Sequence, residues 1–224
     1  ALTLGGCTIV IDDGDVKSTT KRPAVTTARQ TQEPSVTTTI TEAPAETTSV
    51  VPAGSLPRGT WNNNQYTNSY VGLTFTLPLE WRVMSDQELA DKMGVALEIF
   101  AGDTITLDQL SVSTLYDMMA MDDSTGDNVI IMYENLEATG GLDYSMSEYM
   151  SNLTTQLEAT GIYSSIGTPY ETSIGGRVFM AQPLESSAYN LTQTYYLCRK
   201  DKVMLAVIIT AVSTDVSTIF SYLS

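Results

Sequence analysis

The chain has 224 residues, a formal net charge of −15 and a sequence pI near 4.1, so phosphate backbones and anionic lipid surfaces are excluded as partners, because binding them needs clustered Lys and Arg. Histidine is absent, which removes His-based acid–base catalysis, Ser-His-Asp and Cys-His nucleophile systems, and the commonest ligand of zinc and copper. With only two cysteines, Cys7 and Cys198, a disulfide framework or a Cys-rich metal site is excluded as well.

At the front, Leu4-Gly5-Gly6-Cys7 places an apolar residue and two small ones ahead of a cysteine. This resembles the bacterial lipobox, and the resemblance implies that Cys7 takes a diacylglycerol on its sulfur and becomes the mature N-terminus. Residues 1–7 then read as the end of a lipoprotein signal peptide, since the chain starts with Ala rather than Met. Small side chains let a membrane peptidase approach the backbone, and only a thiol carries a thioether lipid. A diacylglyceryl group also supplies the two acyl chains that stable anchoring requires. The competing reading takes Leu2–Ile11 as an edge strand, because Thr8-Ile9-Val10-Ile11 is apolar and β-branched.

Residues 8–59 read as a linker, and from about Lys17 to Arg58 it mixes Thr, Pro, Ala and Glu with no sustained period of 2 or 3.6. Such a segment buries too little to offset the entropy of ordering and is predicted to be a disordered tether. Prolines at 23, 34, 44, 52 and 57 bias it toward polyproline II. At ~3.1 Å per residue it would reach on the order of 120 Å over ~40 residues, against ~35 Å as a flexible coil. A Ser-x-x-Lys match at Ser18–Lys21 falls inside this tether and has no scaffold to make it catalytic.

From Thr60 onward the balance is 20 acidic against 6 basic residues, so the acidity belongs to the part predicted to fold, residues 60–224. Its first elements are an alternating strand at Leu73–Leu77 and a helix opened by the capping box Ser85-Asp86-Gln87-Glu88 and ending near Gly94. Asn128–Glu134, with Val129-Ile130-Ile131-Met132, is apolar enough to be a strand covered on both faces. A second capping box, Ser145-Met146-Ser147-Glu148, opens a helix that ends at Gly161, and its Met146, Tyr149, Met150, Leu153 and Leu157 form one apolar stripe read as core. Gly175-Gly176 joins Tyr170–Ile174 to Arg177–Gln182 as a hairpin, and Arg199–Lys202 turns Leu191–Cys198 back into Val203–Ile209, the most continuously apolar run. A last helix is predicted over Thr214–Leu223 from Val216, Ile219, Phe220 and Leu223. Consecutive hairpins with helices at separated points make this an α/β (α+β) protein, an antiparallel sheet packed between helices as an α/β/α sandwich.

The run Tyr66–Ala90 carries Tyr66-x-Asn68, Gly72, the strand, Pro78 and Trp81 before the capped helix. It resembles the opening of a domain found in uncharacterised lipoproteins of Gram-positive anaerobes, which is similar in turn to the Mog1/PsbP-like fold. That resemblance implies an antiparallel sheet between helices and binding of other macromolecules, and it carries over no catalytic residue, metal or cofactor.

Three candidate sites follow from residue types. Trp61, Asn63, Tyr66 and Tyr70 mix aromatics with amides, the groups that stack on sugars and bond hydroxyls, and if exposed they would bind wall glycan; otherwise the aromatics seal one end of the core and Asn62–Asn64 make a turn. Asp117, Asp122, Asp123 and Asp127 offer oxygen ligands for calcium, but the string misses the D-x-[DN]-x-[DN]-G spacing and reads better as a solvated turn. Cys198 reads as an apolar filler. An enzyme would have to rely on paired carboxylates, and no spacing selects a pair. The expectation is a non-enzymatic extracytoplasmic lipoprotein, held to the outer face of the cytoplasmic membrane by its lipid alone. Its acidic domain binds a protein or cell-envelope polymer, with glycan binding near Trp61 as the alternative and a carboxylate hydrolase as the next.

Overall fold

The structure, a computed structural model, describes residues 55–94, 100, 104–106 and 114–224. The lipobox with Cys7, the competing strand at Leu2–Ile11 and most of the tether lie outside the described residues.

In chain order, β1 (Ser55–Pro57), β2 (Thr60–Asn62), β3 (Gln65–Asn68), β4 (Leu73–Thr76) and β5 (Arg82–Val83) lead to α1 (Asp86–Met93). Then come β6 (Thr104–Thr106), β7 (Thr114–Met121), β8 (Asn128–Asn135), α2 (Leu136–Thr139) and α3 (Met146–Ala159). The chain closes with β9 (Ser165–Ile166), β10 (Tyr170–Ile174), β11 (Arg177–Ser186), β12 (Leu191–Lys200), β13 (Val203–Ala211) and α4 (Val216–Phe220).

An eight-stranded antiparallel sheet runs β10-β11-β12-β13-β8-β7-β5, with β9 also paired to β11. The middle strands β13, β8 and β7 are buried along their whole length, as the unbroken apolar runs at Val203–Ile209 and Val129–Met132 require. On β8 the alternation sends Tyr133 to one face and Glu134 to the other. Tyr149 of α3 meets Glu134 on its face, while β3 meets Tyr133 on the opposite one. That second face is closed by the small sheet β2-β3-β4 and by α4, whose Phe220 packs against Tyr196 with ring centroids 4.9 Å apart. The antiparallel α+β architecture is therefore the predicted one, with a small sheet joining the helices in one covering layer. The chain's last residues extend that small sheet: Phe75 bridges Leu223, and the Thr74 amide donates to the Ser224 carbonyl at 2.7 Å.

Both predicted capping boxes are present, at Ser85/Glu88 and Ser145/Glu148. The Gly175-Gly176 hairpin has both glycines at positive φ (57° and 75°), the type I′ geometry that glycine adopts without strain. One expectation is corrected. The last helix spans Val216–Phe220 rather than Thr214–Leu223, because Leu223 is drawn into a bridge with β4 and leaves the helical path. Ser55–Pro57, read from the sequence as part of the linker, pairs with Thr104–Thr106, a contact distant in sequence that no local pattern announces.

Candidate functional site

A polar cluster is built around Asp117, whose side chain is fully buried. The register of β7 against β8 shifts between Tyr116 and Met118, and this bulge turns Asp117 toward the small sheet. There β3 supplies Tyr66 and Asn68, two residues apart and so on the same side of the strand. The Tyr66 hydroxyl and the Asn68 amide (2.9 Å) both donate to Asp117, and the Gly59 amide adds a third bond at 3.1 Å. Asn68 also donates to the Tyr133 hydroxyl and accepts from the Val71 amide, so every arm of its side chain is used. Arg58 stands between two carboxylates, 2.7 Å from Asp86 and 3.7 Å from Asp117, with its guanidinium over the Phe100 ring.

Burial pushes the Asp117 carboxyl above the ordinary aspartate range, against the pull of its donors and of Arg58. Burial, helped by the neighbouring Asp117, also holds the Tyr66 phenol far above its usual value, so Tyr66 remains a donor. The Tyr-x-Asn pair is thus explained structurally: it satisfies a buried carboxylate.

The residues expected to form an aromatic site near Trp61 occupy different environments. Tyr66 is 1% exposed and its hydroxyl is spent on Asp117, so it offers nothing to a ligand. Trp61 is half-buried against Tyr66 and Phe75, at centroid distances of 5.5 and 6.4 Å. Asn63 sits exposed in the β2–β3 turn at φ 54°, whereas Tyr70 follows the far end of β3, half-buried under the Lys200 ammonium at 3.8 Å. These four residues do not face one ligand. Alternation along β2 and β3 turns Trp61 and Tyr66 onto the core and leaves the turn residues outside.

The four aspartates considered for calcium are likewise dispersed. Asp117 belongs to the cluster above; Asp122 accepts from Ser124 within the β7–β8 turn; Asp123 pairs with Arg82 at 2.6 Å; Asp127 accepts the Val212 and Ser213 amides. Among the described residues no group of His, Cys, Asp or Glu is placed to hold a metal. Cys198 is a buried free thiol that burial pushes up, as expected of a filler.

The concave feature that sequence reasoning missed lies on the other side of the sheet. A groove of about 560 Å³ opens between α3 and β11, walled by Met146, Met150, Met180 and Pro169, with Ser151 and Thr155 along its rim. Thr154, which also lines it, donates to buried Gln182 (3.2 Å), and Gln182 donates to the Gly167 carbonyl (2.7 Å). Methionine stripes at helical spacing usually mean core, and Met150 is core; Met146 and Met180 are half-exposed because α3 stops short of the sheet's edge. Beyond the groove β10 is the outermost strand among the described residues, with Tyr170 47% and neighbouring Val178 61% exposed. An apolar, adaptable wall beside an open strand edge is suited to holding a polypeptide.

These features define an antiparallel α+β domain with a buried polar clasp on one face of its sheet and an apolar groove on the other. Among solved structures the chain is similar to the solution structure of cyanobacterial PsbP (CyanoP) from Synechocystis sp. PCC 6803, with a TM-score of 0.42 and 9% identity over 79% of this chain and 95% of that one. No family model and no curated protein matches the sequence. Among the described residues no helix is long and apolar enough to cross a membrane.

Proposed function

We propose that this protein is an extracytoplasmic lipoprotein of the Gram-positive type, anchored through Cys7, whose acidic domain is a binding module for a partner outside the membrane. The anchoring half of the reading rests on the order of parts in the sequence: Leu4-Gly5-Gly6-Cys7, a Thr- and Pro-rich spacer, then an acidic domain. The binding half is carried by the methionine-walled groove beside the open β10 edge. The reading assigns the domain no chemical step, since the buried carboxylates Asp117 and Glu134 are engaged by tyrosines of the fold.

Cells fed a clickable lipid-precursor analogue should tag the wild-type protein and leave Cys7→Ser untagged and released to the medium. An untagged wild-type product would end the anchoring half. Cross-linking on intact cells followed by mass spectrometry should recover a protein or wall-polymer partner, reduced by Met180→Glu in the groove. Recovery unchanged by that substitution would move binding elsewhere on the domain.

A further inference from the structure

Resting on that binding-module reading, we infer that the partner is an extended cationic polypeptide segment that docks by adding itself as a strand to the free edge of β10. Three observations on different levels agree.

The first is backbone geometry. A two-residue type I′ turn makes the residues flanking it, Ile174 and Arg177, a hydrogen-bonded pair. Hydrogen-bonded and non-bonded pairs alternate along an antiparallel ladder, so Glu171 and Ser173 direct their N–H and C=O groups away from β11, toward the open edge. Among the described residues no other strand pairs with β10, and β9 occupies a different stretch of β11, opposite Leu184 and Glu185. Two residues' worth of backbone donors and acceptors is thereby available to an incoming strand.

The second is the face those residues present. Glu171 lies opposite Met180 and Ser173 opposite Val178, and cross-strand partners share a face, so both point to the α3 side. Side chains of an added strand lying opposite Glu171 and Ser173 would enter that same side, next to Val178 and the groove.

The third is charge. Between Gly141 and Gly176 the charged side chains are Asp143, Glu148, Glu158 and Glu171, all exposed and all acidic. The guanidinium groups of β11 and β12 are engaged with backbone: Arg177 donates to the Val71 carbonyl (3.1 Å), and Arg199 to those of Tyr144 and Leu142 (2.7 and 2.6 Å). Lys or Arg at alternate positions fits this combination, because the aliphatic stem lies along Val178 and Met180 while the charged head reaches the carboxylates. An acidic segment is repelled.

The test uses two synthetic peptides of one composition, Lys alternating with Thr or all Lys clustered at one end, titrated against the folded protein. The alternating peptide is expected to bind about tenfold tighter, the equivalent of 1.4 kcal/mol. Ser173→Pro keeps the charge, and because the Ser173 amide faces outward the substitution breaks no ladder bond; it should weaken the alternating peptide by about tenfold. Glu171→Gln should weaken binding and flatten its salt dependence. In the wild type, the amides of Glu171 and Ser173 should gain hydrogen-exchange protection when peptide is added, a readout independent of whether the variants fold. Equal affinity for the two peptides, or no new protection at these amides, overturns the inference. So does protection at these amides without peptide together with dimer in sedimentation, which would make a second copy the occupant. If Ser173→Pro leaves recovery of the cross-linked cellular partner intact, the edge inference fails while the binding-module reading stands.

Discussion

Asp117 and Glu134 are buried on opposite faces of the large sheet, and they are furnished differently. Asp117 receives Tyr66, Asn68 and the Gly59 amide, with Arg58 close by, all from residues 58–68. Glu134, on the opposite face, receives the Tyr149 hydroxyl of α3. Burial raises both carboxyls above their ordinary values, so neither set of donors fully offsets desolvation. The difference lies in what each carboxylate organises. Asp117 gathers a strap, a small sheet and the central strands into one contact, while Glu134 joins one helix to one strand. The face built on many donors should fail more severely when one member is removed, and the groove on the other face stands on the more tolerant arrangement.

Asp117→Ala should produce the largest loss, about 3–5 kcal/mol by urea unfolding, because Arg58 keeps a buried charge with one partner fewer and Tyr66 and Asn68 lose their acceptor. A loss no greater than that of Glu134→Ala would erase the contrast between the faces. Next comes Gly59→Ala. A Cβ there would meet the buried Tyr66 ring at 2.1 Å, so strap and ring cannot both keep their places, and a cost of about 1–3 kcal/mol is expected in the same assay. Ser85→Ala should cost about 1 kcal/mol, since it removes the cap of the helix that carries Asp86 to Arg58. Because the cap shares no partner with Glu134 but supports Asp86 beside Arg58, its cost should add to that of Glu134→Ala but couple to Arg58→Ala.

What was legible in the sequence divides along the same line. Local signals reported themselves: both capping boxes, the Gly175-Gly176 turn and the apolar runs of β8 and β13 lie where pattern placed them. Contacts between distant residues did not. The pairing of β1 with β6, the bridge of Leu223 to Phe75 and the meeting of Asp117 with Tyr66 join positions with no shared periodicity. Asp117 was grouped with the turn aspartates by proximity in sequence, and only the β7 bulge separates it from them. The groove was hidden for a related reason: a methionine stripe has the same period whether or not the helix covers its sheet to the edge, and how far α3 reaches is a property of the assembled layers.

The smallest effect at acid pH, and the sharpest test of the α3 face, is Glu134→Gln. The amide keeps an acceptor for Tyr149 and the volume of the carboxyl, but it cannot ionise. With its folded value raised above the unfolded one, Glu134 binds a proton more tightly in the native state, so wild-type stability declines as pH rises from about 4.3 through the folded value. Asp117 acts in the same direction, and Glu88, Glu148 and Asp122, whose values are lowered by their capping and turn bonds, act in the opposite one; all are common to both proteins and cancel in the difference. The urea midpoints of wild type and variant should therefore nearly coincide at about pH 4 and separate toward pH 7 with the variant more stable. Parallel profiles would mean that Glu134 ionises as readily in the fold as out of it, and that the hydroxyls of Tyr149 and Thr139 suffice to hold a charge that the other face surrounds with three donors and an arginine.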